Sequence, residues 1–175
     1  MKIENIKVLK TLLSESRDLI IIPHTNPDGD AIGSCLALSH ILKKNGHNTS
    51  VISPNKPPHF LHWSPGFNDI LYFDSEPENC QKKIEKSTLI FTLDFNDLNR
   101  IGELGNFVKS SGSKKIMIDH HRDPKKYADL MFSKPEIGST CELLYEIIFS
   151  LGYEKSINRD ISTCIYLGIM TDTGS

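Results

Sequence analysis

Residues 18–34 read DLIIIPHTNPDGDAIGS. Four consecutive apolar residues, Leu19-Ile20-Ile21-Ile22, are cut off by Pro23. A run that is β-branched and bounded by breakers reads as a strand buried on both faces. Beyond it, Ile32, Cys35, Leu36, Ile41 and Leu42 recur at helical spacing up to Gly46, which can terminate a helix. A buried strand, a turn and a helix in succession form the first half of a βαβ unit, and that predicts a parallel sheet.

The flanking segments extend the alternation. Ile3, Ile6, Leu9, Leu12 and Leu13 mark an N-terminal helix. Residues 49–53 read as a second strand, 54–66 as a Pro- and His-rich loop, and 70–73 as a short strand. A short helix follows over 78–86. Two further buried strands are predicted at 88–93 and 115–118. Leu143, Leu144, Ile147, Ile148 and Leu151 line a helix closed by Gly152, and Ile161, Cys164, Ile165, Gly168 and Ile169 line the last one. The expected fold is α/β, a mainly parallel doubly wound sheet with helices on both faces. In such sheets ligands bind beyond the carboxyl ends of the strands.

The chain has 175 residues and a formal net charge of -2, with 38% hydrophobic and 24% charged residues. That length fits one domain with a substantial core of its own. The composition excludes collagen, a disordered tail and a disulfide scaffold. The weak charge argues against long duplex nucleic acid but not against small phosphate esters. No apolar run approaches the roughly 20 residues of a membrane span. The N-terminal segment reads as an amphipathic helix, not a signal peptide. Cys35, Cys80, Cys141 and Cys164 form no CxxC pair and read as reduced core or near-core residues of a cytoplasmic protein.

Four strand and helix ends carry chemistry. The first strand leads into His24, Asp28, Gly29 and Asp30. The strand over 88–93 is followed by Asp94, and that over 115–118 by Asp119-His120-His121. The last helix ends around Asp172. Each has a plain structural reading: Pro-Asp-Gly-Asp suits a turn, Asp30 could be the N-cap of the next helix, and a His pair in a loop is often solvated. Asp172 resists such a reading, because a carboxylate at a helix C-terminus is disfavoured unless a cation sits beside it. Carboxylates and imidazoles without thiolate suit Mn²⁺ or Mg²⁺. Several carboxylates in one cleft repel one another unless metal charge offsets them. Two metals about 3.5–4 Å apart can activate a water and stabilise both oxygens of a phosphoryl transfer. Asp28 and Asp30, two residues apart, can face different metals, and Asp94 is the natural bridge.

Read in order, these four motifs resemble the DHH phosphoesterase superfamily, named for the triplet Asp119-His120-His121. The wording HTNPDGDAIGS, LDFNDLNRIG and TDTGS looks most like its bacterial branch of oligoribonucleases and phosphoadenosine-phosphate phosphatases, related to RecJ. The resemblance implies a metal-dependent phosphoesterase or exoribonuclease with two Mn²⁺ ions, Mg²⁺ being the alternative. It implies that His24, Asp28 and Asp94 hold one ion, and Asp30, Asp94, His120 and Asp172 the other. His121 would contact the scissile phosphate or assist the leaving group. Asp119 would orient the histidines. Arg100 falls where the branch often has Arg, a substrate-binding position, and reads equally as a surface arginine.

The implied substrates are short single-stranded RNA, cut from an end, or 3′-phosphoadenosine 5′-phosphate. Members of the branch carry a second, basic, glycine-rich domain, so residues 1–175 are expected to be the DHH domain of a longer chain. A homodimer is left open. Other readings are a cyclic-dinucleotide phosphodiesterase, an exopolyphosphatase, a manganese pyrophosphatase (which Gly29 leans against), or a non-catalytic metal- or nucleotide-binding module. The absence of a Gly-rich phosphate loop counts against the module. The loop with His59, His62 and Trp63 points to no chemistry. His40 and His47 read as surface residues at a helix end.

Overall fold

The computed structural model describes residues 2–174. Six strands form one parallel sheet: β1 Asp18–Ile22, β2 Asn48–Ser53, β3 Leu71–Tyr72, β4 Leu89–Leu93, β5 Lys114–Asp119 and β6 Leu130–Ser133. Their spatial order is β3-β2-β1-β4-β5-β6. The α-helices are α1 Ile3–Leu12, α2 Gly29–Lys44, α3 Pro77–Lys86, α4 Leu104–Ser110, α5 Thr140–Leu151 and α6 Arg159–Thr173. The chain order reverses between β1 and β4, which makes the crevice above that pair the expected ligand position.

The reason for burial on both faces is visible in β1. Leu19 and Ile21 join a core with α1, α2, α5 and α6, while Ile20 and Ile22 join a second core with α3 and α4. Fully burying each such side chain stabilises the fold by about 1.5–3 kcal/mol. The register Leu19↔Leu89 through Ile22↔Thr92 brings the ends of β1 and β4 level.

Helices α2 and α6 pack closely because glycine stands at the contact. A Cβ on Gly33 would lie 2.5 Å from the Cys164 carbonyl oxygen. One on Gly168 would collide with Cys141 Sγ and lie 2.6 Å from Asp30 Oδ1. This close approach seats the end of α6 beside the start of α2.

Some expectations need correction. The short edge strand β6 and helix α4 add to the elements expected from the sequence. Asp28, not Asp30, is the N-cap of α2, its Oδ1 accepting the amides of Asp30 and Ala31 at 3.0 Å each. His47 is buried, at 6% exposure, not a surface residue, and neither ring nitrogen has a hydrogen-bond partner among the described residues. His40, grouped with it in that reading, is half-buried, with Nε2 3.0 Å from the Pro65 carbonyl. All four cysteines are free and buried.

Candidate metal centre

The ends of β1, β4 and β5 and the last turn of α6 meet over the crevice. His24 follows β1, Asp94 follows β4, and Asp119 closes β5 with His120 and His121 beyond it. Asp94 adopts a left-handed backbone at φ 65°, with its amide donating to the Ile118 carbonyl at 3.0 Å. Asp visits this region more readily than most residues. Such conformations cluster at functional sites, where the surroundings hold them.

Three groups of donors come together: His24, Asp28 and Asp94; Asp30, His120 and Asp172; and Asp94, His120 and His121. In each, one ligand atom per residue lies within 4.8 Å of the others. Asp94 shares itself between the two sides of the cleft. Its Oδ2 lies 3.5 Å from His24 Nε2 and its Oδ1 3.5 Å from His120 Nε2. Asp28 Oδ2 is 3.8 Å from His24 Nε2. On the other side Asp172 Oδ2 is 3.2 Å and Asp30 Oδ2 3.9 Å from His120 Nε2. The His120 imidazole therefore faces Asp172 at the C-terminal end of α6.

The electrostatics reflect carboxylates crowded out of water. Burial, then the charge of Asp94, pushes the Asp30 carboxyl well above the usual range. Burial and Asp94 also raise Asp172. Burial alone would lower His24, but its contacts with Asp28 and Asp94 outweigh it and hold the ring at about 10. Burial would raise Asp28, yet His24 and the amides of Ala31 and Asp30 bring it down to about 2. All donors are oxygen or nitrogen, and the buried thiols of Cys35 and Cys141 stay protonated because burial raises them well above the ordinary thiol value. This donor set fits a hard divalent cation.

Asp119 is fully buried and, among the described residues, hydrogen-bonds His121. Its Oδ1 lies 2.7 Å from His121 Nδ1, and its Oδ2 accepts the His121 amide at 3.1 Å. His120 Nδ1 instead lies 3.3 Å from the Ile137 carbonyl. Of the two histidines that Asp119 is expected to orient, the one it hydrogen-bonds is His121. The hydrogen bond that Asp119 accepts raises the His121 ring.

Arg100 sits exposed in a 3₁₀ turn, Leu98–Ile101, outside the three donor groups. Its carbonyl accepts the Thr25 amide at 2.8 Å, and its charge works to lower His121.

Sequence reasoning missed Thr140 and Cys141. At the start of α5, their amides donate to Asp30, Thr140 N to Oδ2 at 2.6 Å and Cys141 N to Oδ1 at 2.9 Å. The Thr140 hydroxyl donates to Asp94 Oδ1 at 2.8 Å. One helix start thereby fixes two of the acidic groups. The available signal was Ser139-Thr140-Cys141-Glu142, a helix-start pattern, and Ser139 Oγ does accept the Glu142 amide at 3.0 Å.

Comparison with known proteins gives a consistent result. The family profile described as "DHH family, N-terminal domain" matches residues 18–169. The chain is 29% identical over 170 residues to "Bifunctional oligoribonuclease and PAP phosphatase NrnA" of Thermus thermophilus, covering 96% of this chain and 47% of that protein. It is 22% identical over 175 residues to "Cyclic-di-AMP phosphodiesterase PdeA" of Listeria monocytogenes, covering 95% of this chain and 26% of that protein. A crystal structure of an exopolyphosphatase-related protein from Bacteroides fragilis superimposes with a TM-score of 0.96 at 42% identity, covering 98% of this chain and 50% of that one. The chain spans about half the length of the Thermus and Bacteroides proteins.

Proposed function

Because the chain belongs to the DHH family, N-terminal domain, we propose that its His/Asp cluster is the site of a two-metal phosphoesterase. Its substrates are short oligoribonucleotides, cut from an end, and 3′-phosphoadenosine 5′-phosphate. The observation that carries this reading is the Asp94 carboxylate, which turns one oxygen to His24 and the other to His120.

His24, Asp28 and Asp94 would hold one divalent ion, and Asp30, Asp94, His120 and Asp172 the other. Mn²⁺ is the ion proposed, with Mg²⁺ the alternative on the same oxygen and nitrogen donors. Bound ions supply Lewis-acid polarisation of the phosphoryl group and offset the carboxylate charge. Asp30 is held rigid by two α5 amides, so its ligand oxygens need little reorganisation. Asp119 fixes His121 through Nδ1, which leaves Nε2 to contact the scissile phosphate or hand a proton to the leaving oxygen. Arg100, exposed at the rim, would pair with a substrate phosphate.

A second reading is end-on hydrolysis of inorganic polyphosphate, favoured by the description of the Bacteroides protein as exopolyphosphatase-related at 42% identity. The test is a panel with Mn²⁺: a labelled diribonucleotide, 3′-phosphoadenosine 5′-phosphate, cyclic-di-AMP and polyphosphate. Mononucleotide from the first or AMP from the second is the expected result. Release from polyphosphate alone selects the second reading, and turnover of cyclic-di-AMP alone replaces both. Native mass spectrometry should find two ions bound; retention of both in Asp94→Asn would remove the shared-carboxylate arrangement.

A further inference from the structure

A cavity of about 470 Å³ lies outside the His/Asp cluster, between two segments that trail its motifs. One wall is the turn that begins at Asp97, three residues past Asp94. The other holds Lys125, Lys126 and Tyr127, shortly after Asp119-His120-His121. Lys109, near the end of α4, and Lys115, at the start of β5, complete a ring of four lysines.

Positive charge predominates around this cavity, four lysines against the one carboxylate of Asp97. Among the described residues, the ion pairs made by lysine or arginine are Arg17–Glu15 and Lys134–Glu146, so all four ammonium groups lack an acidic partner. Asp97, the carboxylate on the wall, is engaged as a cap, its Oδ1 accepting the Asn99 amide at 2.9 Å. Four unpaired cations gather here on a chain of net charge -2. Such local reversal of sign marks a surface that attracts anions.

The walls are built rather than loose. The Lys125 amide donates to the Asn96 carbonyl at 2.8 Å, and Asn96 Nδ2 donates to the Arg122 carbonyl at 2.5 Å, which ties the two segments together. The Tyr127 hydroxyl lies 2.8 Å from Thr92 Oγ1. Lys115 Nζ donates to the Ser111 carbonyl at 2.7 Å, which anchors the side chain and leaves its charge intact.

The spacing selects the ligand. Lys115 stands four residues before Asp119 on β5, about 13 Å at roughly 3.3 Å per residue. A stacked strand rises about 3.4 Å per nucleotide along its axis, so at most about four steps cover that distance, and fewer when the strand is extended. A mononucleotide at the His/Asp cluster is too short to reach the far wall.

We propose that this lysine-walled cavity binds the non-scissile phosphates of a short single strand whose end lies at the His/Asp cluster. The proposal rests on the phosphoesterase reading for what occupies the cluster, but its test does not need turnover. An end-labelled pentaribonucleotide is titrated with the protein in EDTA at low salt and followed by fluorescence anisotropy. Lys125→Ala/Lys126→Ala should weaken binding at least tenfold and lower the slope of log K against log salt by about 1.4, at about 0.7 for each phosphate that is no longer neutralised. Lys125→Arg/Lys126→Arg should restore binding. With Mn²⁺, the alanine variant should raise KM for the pentamer and leave the diribonucleotide KM unchanged.

Equal pentamer affinity in wild type and the alanine variant, or no pentamer binding at all in EDTA, would overturn the proposal. Competition by inorganic pyrophosphate as strong as by unlabelled pentamer would also overturn it, since the cavity would then hold a small free anion. Pentamer binding that depends on the lysines, without hydrolysis of any substrate, would uphold this site and defeat the phosphoesterase reading instead.

Discussion

At Asp94 the backbone and the side chain impose separate requirements. The left-handed φ of 65° favours Asp, Asn or Gly, while the split contacts to His24 and His120 need two oxygens carrying charge. Asp94→Asn keeps the backbone preference and removes the charge. We expect it to lose the shared metal occupancy, read by native mass spectrometry. In EDTA its Tm should stay close to that of wild type, because relief of the crowding against Asp30 and Asp172 is opposed by loss of the charge facing His24. A clear fall in Tm without metal would show that Asp94 has a structural role the charge argument omits.

His47 makes the opposite kind of prediction, about proton uptake. Burial, then the charge of Arg17, holds its pKa below the ordinary 6.5. As pH falls through 6.5, the unfolded chain takes up a proton that the folded chain resists. The unfolded state then binds more protons, so stability falls toward acid, and above about pH 7.5 the effect is absent. His47→Leu removes this linkage and an unpartnered polar ring. The Tm of the variant minus that of wild type should grow between about pH 7.5 and about pH 5.5; a constant difference would rule the linkage out.

Among the elements, the crossing of α2 over α6 is the one whose geometry the site depends on. Gly168→Ala would press a methyl group against Cys141 Sγ and the Asp30 carboxylate. Overpacking of this kind costs about 1–3 kcal/mol, which at this chain length lowers Tm by roughly 2–4 °C per kcal/mol. Adding Cys141→Ala should recover part of the loss, since it deletes the nearest atom. Additive effects in that pair, measured by thermal denaturation, would mean the two residues do not compete for space.

Physical causes also separate what was legible at this scale from what was not. β1, β4 and β5 announce themselves because their apolar runs are buried on both faces. Edge strand β6, Leu130–Ser133, is short and only alternately buried, so it leaves no such run. Helix α4 is preceded by Gly102 and contains Gly105, which read as breakers. The ionisable residues at the strand ends were legible because a doubly wound sheet places its ligands there. Thr140 was not, for it carries no charge and reaches Asp94 through a tertiary hydrogen bond. The burial of His47 was hidden because its position after a helix end resembles that of an exposed, dipole-facing histidine, whereas the chain folds back there to start β2.

For the whole molecule, the candidate ligands run from His24 to Asp172 and join β1, α2, β4, β5 and α6 at one point. A cation bound there crosslinks elements far apart in sequence, and the unfolded chain offers no such arrangement. Binding to the folded state alone adds about 2.7 kcal/mol per site at about one hundred times Kd. For a chain of this length that is roughly 5–10 °C in Tm per site. A thermal shift titration with MnCl₂ after EDTA treatment should therefore raise Tm in two increments or one large one. Asp172→Asn should keep the increment of the His24 side and lose most of the other. Cys80→Ala, on the buried face of α3 in the second core and remote from the donors, should change the starting Tm but leave the metal-dependent rise intact. A full metal response in Asp94→Asn would show that Mn²⁺ acts elsewhere on the surface, because no arrangement of the remaining donors links both halves of the cluster through one carboxylate.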